Sequence, residues 1–323
     1  MPEPLLFLKA MGAAAVASAV FMLAMSRMRR RVSTTWLDSA WLNSASVLAS
    51  GIGLVVGCVV LSLRWTWPPV NGLDRFLTIV VPAVLGIELI AGFPSVPRRV
   101  AWFLRMSLAA AVPRILLHGS VYLTHLHGSD NDWTPWQAGI ALAMSAALLA
   151  GLWGLLSWLS HRSPGVSIPL ALGLTTQCAG LTVMMAGYIK GGAVAFPLAA
   201  TLVATTIAAG LIARRTGTPA HFSVPTNCGA PALLGIGVVG LFGVLFIGRF
   251  FGRLSTGCAL AMLLAPLLCW ATEIPLLRHR KPWLVGSLRL VLVTILLAVV
   301  LALAKRDFDR HMAPLLGVHL NSG

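Results

Sequence analysis

Apolar residues along the chain gather into runs of about 17–25 positions, the length a helix needs to cross a bilayer. Short segments rich in Arg, Pro, Gly and Asp separate them. The runs predict ten helical spans, at residues 4–25, 44–63, 76–92, 100–122, 137–159, 166–189, 193–213, 231–248, 255–277 and 284–304. The expected fold class is therefore an all-α membrane protein, one transmembrane domain over residues 1–323, whose constant partner is the lipid bilayer.

Composition points the same way. In 323 residues, 58% are apolar and 10% charged, too few charges to cover a soluble surface. The net charge of +15 would suggest nucleic acid in a soluble protein. Here the basic residues sit in small clusters between apolar runs, where they act as topology signals, and no nucleic-acid partner is expected.

The first run, Leu5 to Met25, is followed by its positive cluster, Arg27, Arg29, Arg30 and Arg31. That order suits a first span with its N-terminus outside and not a cleaved signal peptide. Threading ten spans from there places Arg98, Arg99, Arg162, Arg214, Arg215, Arg278, Arg280 and Lys281 on the same, cytoplasmic side, twelve basic residues against eight opposite. Both termini then lie outside, in a membrane of the bacterial inner (cytoplasmic) type. Trp65, Trp67, Trp133, Trp136, Trp158 and Trp283 fall near span ends, as interfacial aromatics do.

Sliding the chain on itself by 184 residues reveals an internal repeat. Arg30-Arg31 falls on Arg214-Arg215, Thr34 on Thr218, Ser39 on Ser223, Asn43 on Asn227 and Gly51-Ile52-Gly53 on Gly235-Ile236-Gly237. Val55, Val60 and Leu61 fall on Val239, Val244 and Leu245. With one-residue slips, Arg64, Pro82, Glu88 and Arg105 find Arg249, Pro266, Glu273 and Arg289. Six spans separate equivalent points, and an even number preserves orientation. The pattern predicts parallel repeats over 9–125 (spans 1–4) and 193–310 (spans 7–10), joined by the helix pair 137–189. Separate recruitment of Arg, Gly and Pro to helix ends is the alternative.

Candidate chemistry is sparse. Glu88 and Glu273 are the acidic residues expected inside spans, and an intramembrane carboxylate is a functional candidate by default. Arg105 and Arg289 enter the following helices at a similar depth, so two quasi-equivalent Glu/Arg pairs are expected; pinning two helical hairpins is their structural reading. In span 4, Arg114 follows Pro113 and precedes His118, and it can attract an anion or make an outer-leaflet contact. Gln177, in the polar cluster Thr175-Thr176-Gln177-Cys178, can bind a polar solute or bridge helices. His125, His127, Asp130 and Asp132 carry metal-capable groups on one loop, but loop spacing alone does not make them converge, so no metal is assigned.

The five cysteines show no CxxC or zinc spacing. No phosphate loop, HExxH or GxSxG occurs, so the chain is not expected to be a familiar ATPase, zinc or serine hydrolase, and no cofactor is implied. Two readings stay open. One is a secondary transporter or permease-like protein for a small solute, supported by the repeat and the paired Glu/Arg positions. The other is a non-catalytic subunit or scaffold of a larger membrane complex or homo-oligomer, supported by small loops and abundant glycine. An enzyme acting on a lipid-linked substrate is a third, with few residues to supply its acids.

Overall fold

A computed structural model describes residues 4–29, 38–63, 66–120, 122–123, 134–162, 165–215, 230–273 and 282–311. Among them every regular element is helical. In chain order these are α1 (Pro4–Arg29), α2 (Asp38–Val60), α3 (Gly72–Arg75, a π-helical stretch Phe76–Val80, then Val81–Ala91), α4 (Arg98–Leu117) and α5 (Pro135–Arg162). Then come α6 (Ser167–Met185), α7 (Ile189–Arg215), α8 (Ala230–Phe251), α9 (Thr256–Leu264, tightening to a 3-10 stretch Ala265–Glu273) and α10 (Pro282–His311).

By length and composition, nine of the described helices are apolar enough to cross a membrane, so the protein is an all-α, multi-pass membrane protein. The element at the remaining expected position is α3, an unbroken helical run from residue 72 to 91 that the π stretch divides. At ~1.5 Å per residue it reaches about 30 Å.

Proline explains both departures from α geometry. Pro82 has no N–H and would clash with the carbonyl four residues back. The chain widens just before it, and the Val81 N–H bonds back to the Phe76 carbonyl, five residues away. In α9 the change comes at Pro266 and goes the other way, into a tighter 3-10 winding.

α8 is the core helix. In lipid the helices gain little from expelling water, so association rests on close packing, which small residues permit. α8 carries glycines toward three of its neighbours: Gly237 lies against Leu172 of α6 and Gly240 against Leu198 of α7. Gly243 likewise meets Phe76 of α3, and Gly248 meets Val183 of α6. A second cluster, Met22, Leu42, Ala45, Ala49, Ala208, Ala209 and Ile212, joins α1, α2 and α7. There the Ser18 hydroxyl donates to the Ala49 carbonyl at 3.0 Å, and Ser50 and Thr205 hydroxyls meet at 3.2 Å. The outward faces are apolar, with Val16, Ile140, Met144, Val291, Ile295 and Val299 all exposed, as lipid contact requires.

The equivalence of the two repeats is not evident in the packing. Gly51 and Gly235, which the 184-residue offset aligns, both face α3: Gly51 lies against Leu85 and Gly235 against Glu88. Much of the aligned sequence, including Arg30, Arg31, Thr34, Thr218, Ser223 and Asn227, lies outside the described residues.

Candidate functional site

The hairpin α3–α4 builds the first half of the site. Glu88 lies near the end of α3, where its carbonyl accepts from the Gly92 N–H at 3.1 Å and from the Asn43 side-chain amide of α2 at 3.2 Å. Pro97 then sets an extended N-cap, and α4 starts at Arg98. With so short a link the helices run antiparallel, and Arg105, seven residues or ~10 Å into α4, returns to the depth of Glu88.

The two side chains meet in a fork. Arg105 Nε donates to Glu88 Oε1 at 2.9 Å and Nη2 to Oε2 at 2.6 Å. This two-pronged geometry is the strongest form of a guanidinium–carboxylate pair. The Glu88 side chain is 0% exposed and that of Arg105 19%, so the carboxylate is desolvated while the guanidinium reaches toward the interface.

Two residues from other helices close over Glu88. Gly235 of α8 stands so near that a Cβ there would collide with the carboxylate and come within 2.9 Å of Trp153 Cζ2 of α5. Trp153 is 1% exposed, and its buried indole Nε1–H has no hydrogen-bond partner among the described residues.

The second pair has its burial reversed. Arg289 of α10 is 3% exposed and Glu273, the last residue of α9, 17%. Arg289 Nη2 donates to Glu273 Oε1 at 2.9 Å, Nε to Thr272 Oγ1 at 2.7 Å and Nη1 to Ser167 Oγ of α6 at 3.3 Å. Here the guanidinium is the desolvated partner, and hydroxyls from two further positions share its charge.

The other sequence candidates stand apart. Arg114 lies on an exposed side of α4, next to buried Pro113, and joins neither pair. Gln177 Nε2 donates to Met11 Sδ of α1 at 3.6 Å, and its buried Oε1 has no partner among the described residues. The threonines before it, Thr175 and Thr176, are buried and donate to carbonyls of their own helix. His125, His127, Asp130 and Asp132 lie outside the described residues; within the described ones no three His, Cys, Asp or Glu groups converge on a metal position.

One buried carboxylate escapes the sequence reading. Asp74 sits in the first turn of α3, 7% exposed, and accepts a hydrogen bond from the Thr66 hydroxyl. Its own N–H donates to Asn71 Oδ1 at 2.9 Å. Burial pushes the phenol of nearby Tyr188, in the link between α6 and α7, above its ordinary value, and the negative charge of Asp74 adds to that. The readable signal is Asn71 three residues before Asp74, a helix start that lengthens the expected span at 76 by one turn.

Compared with known proteins, the chain matches no family model, no curated protein and no solved structure.

Proposed function

We propose that this multi-pass membrane protein is a secondary transporter or permease-like protein for a small solute, seen in a closed arrangement, with Glu88/Arg105 as its moving pair. The observation that carries the reading is Glu88 itself. It belongs to the first expected repeat, yet it is wedged against Gly235 of the second, at the boundary across which parallel repeats would rock. A buried ion pair is a poor device for stability, since apolar packing of equal volume serves as well. In a membrane a retained carboxylate therefore points to use, by a proton or by the charged group of a solute exchanging for one partner. Gln177 Oε1 offers a second polar contact at mid-membrane. In this reading Arg289 and Glu273 form the quasi-equivalent, more static pair. The membrane is of the bacterial inner type, with Arg98 and Arg162 at its cytoplasmic face and both termini outside.

A scaffold or subunit role is the second reading. It is favoured by the direct pairing of each carboxylate with a guanidinium and by the apolar core around α8. Purification in mild detergent followed by thermal unfolding across a panel of solutes separates the two, because a ligand that binds only the folded state raises its midpoint. Transport predicts that one solute class shifts the midpoint and that Glu88→Gln, alone or with Glu273→Gln, abolishes the shift. No shift across the panel, together with a constant stoichiometric partner, sinks the transporter reading in favour of the subunit.

A further inference from the structure

We propose that the basic surface formed by the start of α4 and the end of α5 holds the phosphate of an anionic phospholipid. α4 begins at Arg98 with no side-chain cap: Pro97 precedes it and supplies none. The first hydrogen-bonded amides are those of Val100 and Ala101, both to the Pro97 carbonyl, which leaves the N–H groups of Arg98 and Arg99 unspent among the described residues. Free amides at a helix start attract an anion.

Basic side chains converge on the same place. Arg98 and Arg105, seven residues apart, lie on one face of α4. α4 and α5 are successive spans packed on each other, so the start of α4 lies at the same end of the bundle as His161 and Arg162 in the last turn of α5. The Arg162 guanidinium lies 4.5 Å from the Trp158 ring. Arg105 spends Nε and Nη2 on Glu88, and Nη1 has no partner among the described residues. No Asp or Glu occurs in α4 or α5, and Glu88 and Glu273 on the neighbouring elements are engaged with Arg105 and Arg289, so among the described residues no carboxylate pairs with Arg98, Arg99 or Arg162.

The flanks decide for a lipid over a free anion. Trp102, a turn from both Arg98 and Arg105 on α4, and Trp158, beside Arg162, are exposed, and Trp158 lies against Trp270 with ring centroids 4.7 Å apart and planes tilted by 46°. Aromatic rings beneath a basic headgroup site form the boundary where acyl chains begin. A soluble phosphate would find no use for that apolar skirt.

The site is independent of any transport activity and is tested on the purified full chain in a neutral detergent. Thermal unfolding is followed with added phosphatidylglycerol, phosphatidylcholine or inorganic phosphate at constant ionic strength. Phosphatidylglycerol raises the midpoint, and the other two at equal concentration do not. Arg98→Gln/Arg162→Gln raises the half-saturating phosphatidylglycerol concentration at least about tenfold. Arg249→Gln/Arg253→Gln, at the opposite end of the bundle, leaves it unchanged. Should the first double variant not fold, each single substitution, at an exposed side chain, must give a smaller shift in the same direction. The proposal is overturned if phosphate or phosphatidylcholine matches phosphatidylglycerol, if no lipid stabilises, or if the two double variants respond alike.

Discussion

Glu88 and Arg105 face each other through two parallel hydrogen bonds, of 2.9 and 2.6 Å, with the carboxylate wholly enclosed and the guanidinium partly exposed. Glu273 and Arg289 repeat the pairing with the enclosure exchanged. The same chemistry therefore loads its desolvation cost on opposite partners, and the two pairs should respond oppositely to loss of one member.

Stranding the enclosed partner is the costly change. Arg105→Met leaves Glu88 charged or forces it to take a proton, and it should destabilise by about 3–5 kcal/mol. Glu88→Met costs less than half as much, since Arg105 can extend to the interface. In the second pair the order reverses, because Glu273→Met takes the carboxylate from buried Arg289, whose Nε and Nη1 then still donate to the neutral hydroxyls of Thr272 and Ser167. Chemical or thermal unfolding in detergent of the four single variants checks the order; the same order in both pairs would contradict unequal enclosure.

The pairing itself was legible in the sequence, and the reason is geometric. A link of a few residues between Ala91 and Arg98 forces an antiparallel hairpin, and equal depth then follows from counting residues along two helices of fixed rise. What surrounds the pair was not legible. Gly235 and Trp153 come to Glu88 from helices far along the chain, and nothing in the local pattern of either announces that contact. Asp74 was missed for another reason: an apolar run marks the greasy part of a helix, and the polar first turn before it, set by Asn71, lies outside the run. Likewise, Pro82 and Pro266 were aligned in sequence, yet one is met by a π stretch and the other by a 3-10 stretch.

Gly235 offers a direct test of that long-range contact. A methyl group there overlaps the Glu88 carboxylate and crowds Trp153, both enclosed and unable to yield cheaply. Gly235→Ala should destabilise by about 1–3 kcal/mol, the usual cost of overpacking. Gly154, in the middle of α5, has open space where its Cβ would be. Gly154→Ala should stabilise by about 0.5–1 kcal/mol through helix propensity alone. Unfolding midpoints of the two variants should move in opposite directions, and parallel movement would mean that Gly235 is not a contact point.

Tyr188 reports on the buried carboxylate at the other end of the bundle. Its phenol is held above the ordinary value near 10, first by burial and second by the charge of Asp74. Since the folded state favours the protonated phenol, stability from this group is intact below about 10 and is lost as the pH rises through the raised value. The chain has two tyrosines, so in a Tyr122→Phe background the ultraviolet absorbance of tyrosinate follows Tyr188 alone. Asp74→Asn should bring that titration down part of the way, with the remainder persisting because burial is the larger cause. A complete return to the ordinary value would make the Asp74 charge the main cause, and no movement would separate the two residues altogether.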